Sequence, residues 1–224
     1  ALPIFASIGK LAAGLAHEIR SPLTAIRLRL FSVQKAFEKS GRQRDFELIS
    51  EEISRLDSIV NDFLEFSHPR KLNLQKCDIS VLIGKTLELL DYKLKAANVK
   101  VDCEQSRDLP AVMADPQQLK QVIINLLNNS VEAMPTGGAI RIATQRNKDG
   151  ERNGKFVQIT IADNGPGIPE SMRDTLFEPF FGTKNEGAGL GLWVSHQIMS
   201  LHGGGLELGE SRPGGTTFKL WLPV

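Results

Sequence analysis

Apolar residues return at every third or fourth position through residues 4–63, and this repeat narrows the possible folds more than any other feature of the chain. They fall at Ile4, Ile8, Leu11, Leu15, Ile19, Pro22, Ile26, Leu30, Val33 and Phe37, then at Phe46, Ile49, Ile53, Leu56, Val60 and Phe63. Steps of three and four lay one apolar seam along each of two helices. Between the runs, the polar segment 39–44 contains Gly41, which can end a helix, and Asp45 is placed to cap the next one. Residues 1–68 are therefore predicted to form a helical hairpin. Two helices of this length cannot hide two seams by pairing only with each other. Dimerisation into a four-helix bundle is the natural way to bury them.

The rest of the chain, residues 69–224, has a different grammar. His68–Pro69–Arg70–Lys71 reads as the linker, because a proline disfavours helix at the residue before it. Strands are predicted at 72–75, 99–103, 139–144, 156–162, 205–208 and 216–222, and helices at 79–97, 116–134 and 192–201. A polar loop is expected at 147–154, and Pro213–Gly214–Gly215 reads as a turn. Mixed elements of this kind suggest an α/β sandwich with helices on one face of a sheet.

Charge and cysteine content exclude several function classes. Lys and Arg number 27 against 26 Asp and Glu, for a net charge of +1, which argues against a nucleic-acid binder that neutralises many phosphates. Cys77 and Cys103 match no metal-ligand spacing and read as reduced thiols. No apolar run approaches the roughly 18–20 residues that span a bilayer. The first residues already read as helix without a capping residue, so an upstream sensory segment is expected, and any membrane attachment would lie there.

The most unusual stretch of the hairpin is Ala16–His17–Glu18–Ile19–Arg20–Ser21–Pro22. His17 points away from the seam formed by Leu15 and Ile19. Pro22 removes the helical hydrogen bond to the carbonyl of Glu18, at a cost of about 3 kcal/mol that an ordinary helix avoids. An imidazole with an unperturbed pKa near 6.5 keeps a lone pair available for attack on phosphorus. As one ring nitrogen attacks, the other becomes acidic, and Glu18 is the nearest base.

The second block carries features suited to a phosphate donor. Asp163–Asn164–Gly165–Pro166–Gly167 follows a strand, where the carboxylate could accept from an exocyclic amine and the glycines could let a flat ring approach. Gly187–Ala188–Gly189–Leu190–Gly191 precedes a helix, whose free N–H groups favour phosphate. Asn125 and Asn129 are spaced to share a helix face, and if buried they need a partner such as hydrated magnesium with phosphate oxygens. Each of these patterns has an ordinary reading too: a turn, a helix start, or solvated amides. Phe177, Phe180 and Phe181 are either core or the hinge of a lid.

In this order the motifs resemble those of the two-component sensor histidine kinases, over essentially the whole chain. Residues 17–23 look like the phosphoacceptor box, 125–129 the asparagine box, and 163–167 and 187–191 the two glycine boxes, with the phenylalanine box at 177–181. The run from Glu178 to Gly191 looks most like kinases of the nitrogen-regulation type with a short lid. The resemblance implies a dimerisation and phosphotransfer hairpin followed by a Bergerat-type ATP-binding domain. It implies that His17 is the nucleophile and Glu18 its base, and that Asn129 binds Mg²⁺ with Asn125 supporting the same face. Asp163 would read adenine, Gly165 and Gly167 would line the ring, and Gly187, Gly189 and Gly191 would contact phosphates, with Lys184 reaching the terminal one. ATP and Mg²⁺ are the implied cofactors, and a second copy and a response-regulator receiver domain the implied partners. The fragment would work in the cytoplasm, its parent anchored in the inner membrane or wholly cytosolic. The rival readings are a Bergerat-fold ATPase with dimerising helices, which would have no need of the motif around His17, and a degenerate kinase serving as a scaffold.

One position departs from the family pattern. Ser21 stands where Asn or Thr is usual, four residues after the histidine, and in many members that side chain orients the water that removes phosphate from the regulator. Serine keeps a hydroxyl but has a shorter reach than asparagine. Ser21→Ala is therefore expected to leave labelling of His17 by ATP largely intact while lowering any regulator dephosphorylation. Loss of His17 labelling in this variant would refute that division of roles.

Overall fold

A computed structural model describes residues 72–106, 108–149, 154–179 and 189–224, together with positions 19, 23–24, 26–28, 30, 33, 44, 46, 48–50, 53, 56 and 60. The chain divides into two compact units, residues 1–70 with 180–190 and residues 71–179 with 191–224. His17, Glu18, Ser21, Lys184, Gly187, Phe180 and Phe181 lie outside the described residues, as do the linker at 68–71 and Gly41.

In the first unit every described residue from 19 to 60 is helical. Arg44 and Phe46 are helical, and Asp45, the expected cap between them, lies outside the described residues. The seam is only partly covered within one chain. Leu23, Ile53 and Val60 are buried, whereas Ile19, Ile26 and Val33, seven residues apart, are 39%, 48% and 43% exposed. Ile49 and Leu56, also seven apart, are 45% and 39% exposed.

The second unit is a five-stranded sheet with helices on one face. Its strands are β2 (Val99–Gln105), β4 (Gly138–Asp149), β5 (Gly154–Asp163), β6 (Gly205–Arg212) and β7 (Gly215–Pro223), in the order β2-β4-β5-β7-β6. β2 and β4 are parallel and the other neighbours antiparallel. Alternation decides which face is covered. Ile142, Ile161, Phe218 and Leu208 align across four strands, and Ile159, Leu220 and Leu206 make the next row. The intervening Arg141, Gln158, Thr160 and Lys219 point to the other, polar face, where Thr160 and Glu207 both lie opposite Lys219. Helices α1 (Ile79–Ala96), α2 (Pro116–Glu132) and α4 (Gly191–Leu201) cover the apolar face, with α2 between the other two. Ile83, Ile123, Leu126, Leu127 and Met199 fill the layer between, each with essentially no exposed surface. A one-turn helix, α3 (Glu170–Arg173), follows β5.

The sequence reading and the structure differ at the first strand. The strand expected at 72–75 is instead β1 (Gln75–Cys77), paired antiparallel with β3 (Val112–Ala114), which the sequence pattern did not reveal. Two contacts shift it. The N–H of Asn73 donates to the Asp115 carboxylate (3.0 Å) rather than to a strand, and Cys77 is buried while Leu74 is 48% exposed. β4 and β5 also run further into the expected polar loop, to Asp149 and from Gly154, because their ladder continues through Asn147↔Phe156 and Asp149↔Gly154.

Asp115 fixes the start of α2. Its Oδ1 accepts from the N–H groups of Gln117 (3.0 Å) and Gln118 (3.2 Å), an N-cap followed by Pro116 at the first helical position. Its own N–H donates to His202 Nε2 (2.9 Å), and His202 Nδ1 lies 2.7 Å from the carbonyl of Ile198. A carbonyl only accepts and a backbone N–H only donates, so the His202 proton sits on Nδ1. Burial alone would raise the Asp115 carboxyl, but the N–H groups of Asn73, Gln118 and Gln117 outweigh it and hold it below its ordinary value. A carboxyl lowered in the folded state contributes stability that is complete above its unfolded pKa, near 3.9, and lost as the pH falls through the folded value. Asp115→Ala is thus expected to cost about 1–2 kcal/mol in urea unfolding at pH 7. The gap to the parent should shrink below about pH 4, and a gap independent of pH would show that the carboxylate is not its source.

Candidate functional site

The last residue of β5, Asp163, is held on three sides. Its Oδ1 accepts from the N–H groups of Gly165 (2.9 Å) and Thr216 (3.1 Å), and its Oδ2 accepts from the hydroxyl of Ser130 (3.2 Å). One carboxylate therefore ties together the loop it opens, the neighbouring strand β7 and helix α2. The bond to Gly165, two residues on, is a local turn of the kind aspartate favours. Ser130 is buried and Asp163 half-buried, so the carboxylate is fixed but still reachable, with acceptor capacity left on Oδ2.

The loop after Asp163 has no spare room. Gly167 has φ +83°, and a Cβ there would run into the backbone carbonyl of Arg212. Both facts require glycine. Gly165 is buried against Met134 and Ala133 at the end of α2, where a Cβ would sit 3.3 and 3.6 Å from their side chains. Asn164 points the opposite way, its Oδ1 accepting from the N–H of Ala139 (2.8 Å) on β4.

Between positions 125 and 130 helix α2 carries four polar side chains, and three are committed within the fold. Asn125 Nδ2 donates to Ser195 Oγ (2.9 Å) on α4, and its Oδ1 lies where a Cβ on Gly191 would have to go. Asn128 Oδ1 accepts from Lys93 Nζ (2.7 Å) on α1, and Ser130 donates to Asp163. Asn129, half-buried, has no hydrogen bond from its side chain among the described residues. Asn125 and Asn129 do lie one turn apart, as expected, but Asn125 joins two helices while the Asn129 amide has no partner among the described residues. An amide oxygen is a suitable donor for a hard cation such as Mg²⁺, so the residues present fit that ion.

Gly191 opens α4, and Gly189, just before it, has φ +65°. Phe177 is half-exposed and packs against the His196 ring on α4, with centroids 5.2 Å apart. The sequence reading missed Ser130, Thr216 and His202. Ser130 directly follows the asparagine pair, and a hydroxyl on the covered side of an apolar helix was the available signal. The other two act through backbone donation and tertiary contact, which have no sequence pattern.

Comparison with known proteins gives this geometry a family. Residues 7–71 match the His Kinase A (phospho-acceptor) domain, and residues 114–224 match the histidine kinase-, DNA gyrase B- and HSP90-like ATPase. The sensor histidine kinase ZraS of Escherichia coli (strain K12) is 35% identical over 219 residues, covering 97% of this chain and 46% of that protein. Full-length ShkA, solved in complex with AMPPNP, is 27% identical with a TM-score of 0.79, over 96% of this chain and 45% of that one. The catalytic domain of histidine kinase ThkA is 31% identical (TM-score 0.59, 67% of this chain, 97% of that one). ThkA in complex with the response regulator TrrA is 29% identical (TM-score 0.69, 96% and 61%). The chain spans less than half the length of ZraS. A phospho-acceptor helical domain followed by an ATPase domain with a buttressed aspartate after its third sheet strand places this chain in the two-component sensor histidine kinase family.

Proposed function

We propose that the chain phosphorylates its own His17 with ATP and passes the phosphoryl group to an aspartate of a response-regulator receiver domain. The observation that carries the reading is the Asp163 carboxylate, fixed by Ser130, Gly165 and Thr216, with Asn129, the residue before Ser130, half-buried and its amide without a partner among the described residues. A fixed carboxylate acceptor suits an exocyclic amine, and a free amide oxygen suits a magnesium ion beside phosphates. ShkA bound to AMPPNP and ThkA bound to TrrA support the nucleotide and the partner by likeness.

In this reading residues 1–68 form the dimerisation and phosphotransfer hairpin and 69–224 the ATP-binding domain. Asp163 orients adenine, and Gly165 and Gly167 line the ring. Asn129 holds Mg²⁺, which neutralises phosphate charge, and Asn125 fixes α2 against α4. Gly187, Gly189 and Gly191 contact the phosphates, and Lys184 reaches the terminal one. The unprotonated nitrogen of His17 attacks the γ-phosphorus, the bond to the ADP oxygen breaks, and Glu18 takes the proton from the other ring nitrogen. Positioning and charge neutralisation supply most of the acceleration. The exposed sevenfold series at Ile19, Ile26 and Val33, and at Ile49 and Leu56, supports a homodimer that closes a four-helix bundle. The compact run from Glu178 to Gly191 supports the nitrogen-regulation-type subgroup. No helix among the described residues is long and apolar enough to cross a membrane. The proposed reaction takes place in the cytoplasm, where ATP is supplied, with the parent protein anchored to the inner membrane through other segments or wholly cytosolic.

Incubation with γ-labelled ATP and Mg²⁺ is expected to give acid-labile, base-stable label on the chain and none on His17→Gln. Label persisting in His17→Gln would move the acceptor elsewhere, and free phosphate released without any label would favour the ATPase reading. Asp163→Asn, which replaces an acceptor with an amide, should weaken ATP binding roughly 100-fold in calorimetry, the scale of a lost hydrogen bond to a charged group. Unchanged affinity would remove Asp163 from the nucleotide site.

A further inference from the structure

The loop that follows Asp163 is held by a clasp whose members lie outside the motifs. The N–H of Ile168 donates to Ser211 Oγ (2.7 Å), and the carbonyl of Ile168 accepts from Arg173 Nε (3.2 Å). The same guanidinium donates through Nη2 to the carbonyl of Ser211 (2.6 Å). Ser211 Oγ is also 3.4 Å from Thr216 Oγ1, and the N–H of Thr216 is one of the donors to Asp163. Ser211 itself is buried, and it stands where the pairing of β6 with β7 shifts register between Leu208 and Ser211. Such an irregularity re-aims a side chain, here toward the loop. Two elements thus converge on Ile168, next to Gly167: α3 through Arg173 and β6 through Ser211, and β7 joins the clasp through the contact of Thr216 with Ser211.

We infer that Arg173 and Ser211 are positioning residues of the nucleotide site, holding the 165–168 backbone in the form that receives the adenine ring. The inference rests on the reading of Asp163 as the adenine acceptor. Neither residue need touch the nucleotide. Arg173 spans two carbonyls with a planar fork that lysine lacks, so charge alone does not replace it. Because the clasp acts on a surface that grips bound ATP equally before and during phosphoryl transfer, its loss weakens binding without slowing the chemical step. Both residues hold Ile168, one by its N–H and the other by its carbonyl, so their losses overlap rather than add.

The test uses the 224-residue chain and its Arg173→Ala, Arg173→Lys, Ser211→Ala and double Arg173→Ala/Ser211→Ala variants, with Asp163→Asn as reference. ATP affinity is read by calorimetry, KM and kcat from the rate of His17 labelling, and folding from thermal unfolding without nucleotide. The expected result is KM and Kd for ATP raised roughly tenfold in Arg173→Ala, with kcat within about twofold of the parent. Arg173→Lys should resemble Arg173→Ala, and the double variant should lose less than the product of the single losses. Wild-type affinity in Arg173→Lys and Ser211→Ala, with Asp163→Asn impaired, would overturn the clasp and leave the site reading intact. A fall in kcat at unchanged KM would overturn it equally. Full affinity in Asp163→Asn would overturn both. Should Arg173→Ala fail to fold, the lysine and Ser211→Ala variants carry the same comparison.

Discussion

The position of helix α2 depends on a single buried knot at its first turn. Asp115 caps the helix with its carboxylate, receives the N–H of Asn73 on its other oxygen, and donates its own N–H to His202. His202 in turn is anchored on the carbonyl of Ile198 near the end of α4. Each polar atom in this cluster has a partner, so its burial costs little. The consequence reaches further than the cap. Asn125, Asn129 and Ser130 all ride on α2, and a helix free to slide or roll by a fraction of a turn would carry all three away from Asp163 and α4.

At the far end of the same helix the constraint is reversed: there a carboxylate is the receiver. Asp163 is reached from α2 by Ser130, from β7 by Thr216, and from its own loop by Gly165. Three donors are enough to orient a carboxylate and fewer than it can accept. Such a group remains able to receive one more donor from outside, and it costs little reorganisation when that donor arrives. A fully satisfied carboxylate would be inert, and an unheld one would lose entropy on binding.

Much of this was readable in the chain, for reasons that differ by element. The helices over 79–96 and 116–132 follow from periodicity, and the structure adds an aspartate cap directly before each, at Asp78 and Asp115. The one-sided sheet follows from alternation in β5 and β7. The short β1–β3 pair escaped because three-residue strands carry almost no pattern, and its register is set by tertiary contacts at Asn73 and Cys77. In the site, Asp163, Gly165 and Gly167 stand out as a pattern within five residues, although what crowds the two glycines, the Arg212 carbonyl and the end of α2, lies far along the chain. Ser211 and Arg173 could not be named, since the contacts that define them reach 43 and 38 positions away.

The run Asn125–Leu126–Leu127–Asn128–Asn129–Ser130 shows how the fold separates residues that the sequence leaves equivalent. Four polar side chains within six residues are an expensive choice on a helix wedged between two others, and each must be met by a partner or by water. Asn125 meets α4, Asn128 meets α1, and Ser130 meets the end of β5. Each of these bonds joins α2 to a different neighbour, so together they fix its rotation about its own axis as Asp115 fixes its position along it. Asn129 makes no such side-chain bond among the described residues, and it is the rotation set by the other three that decides where its amide points.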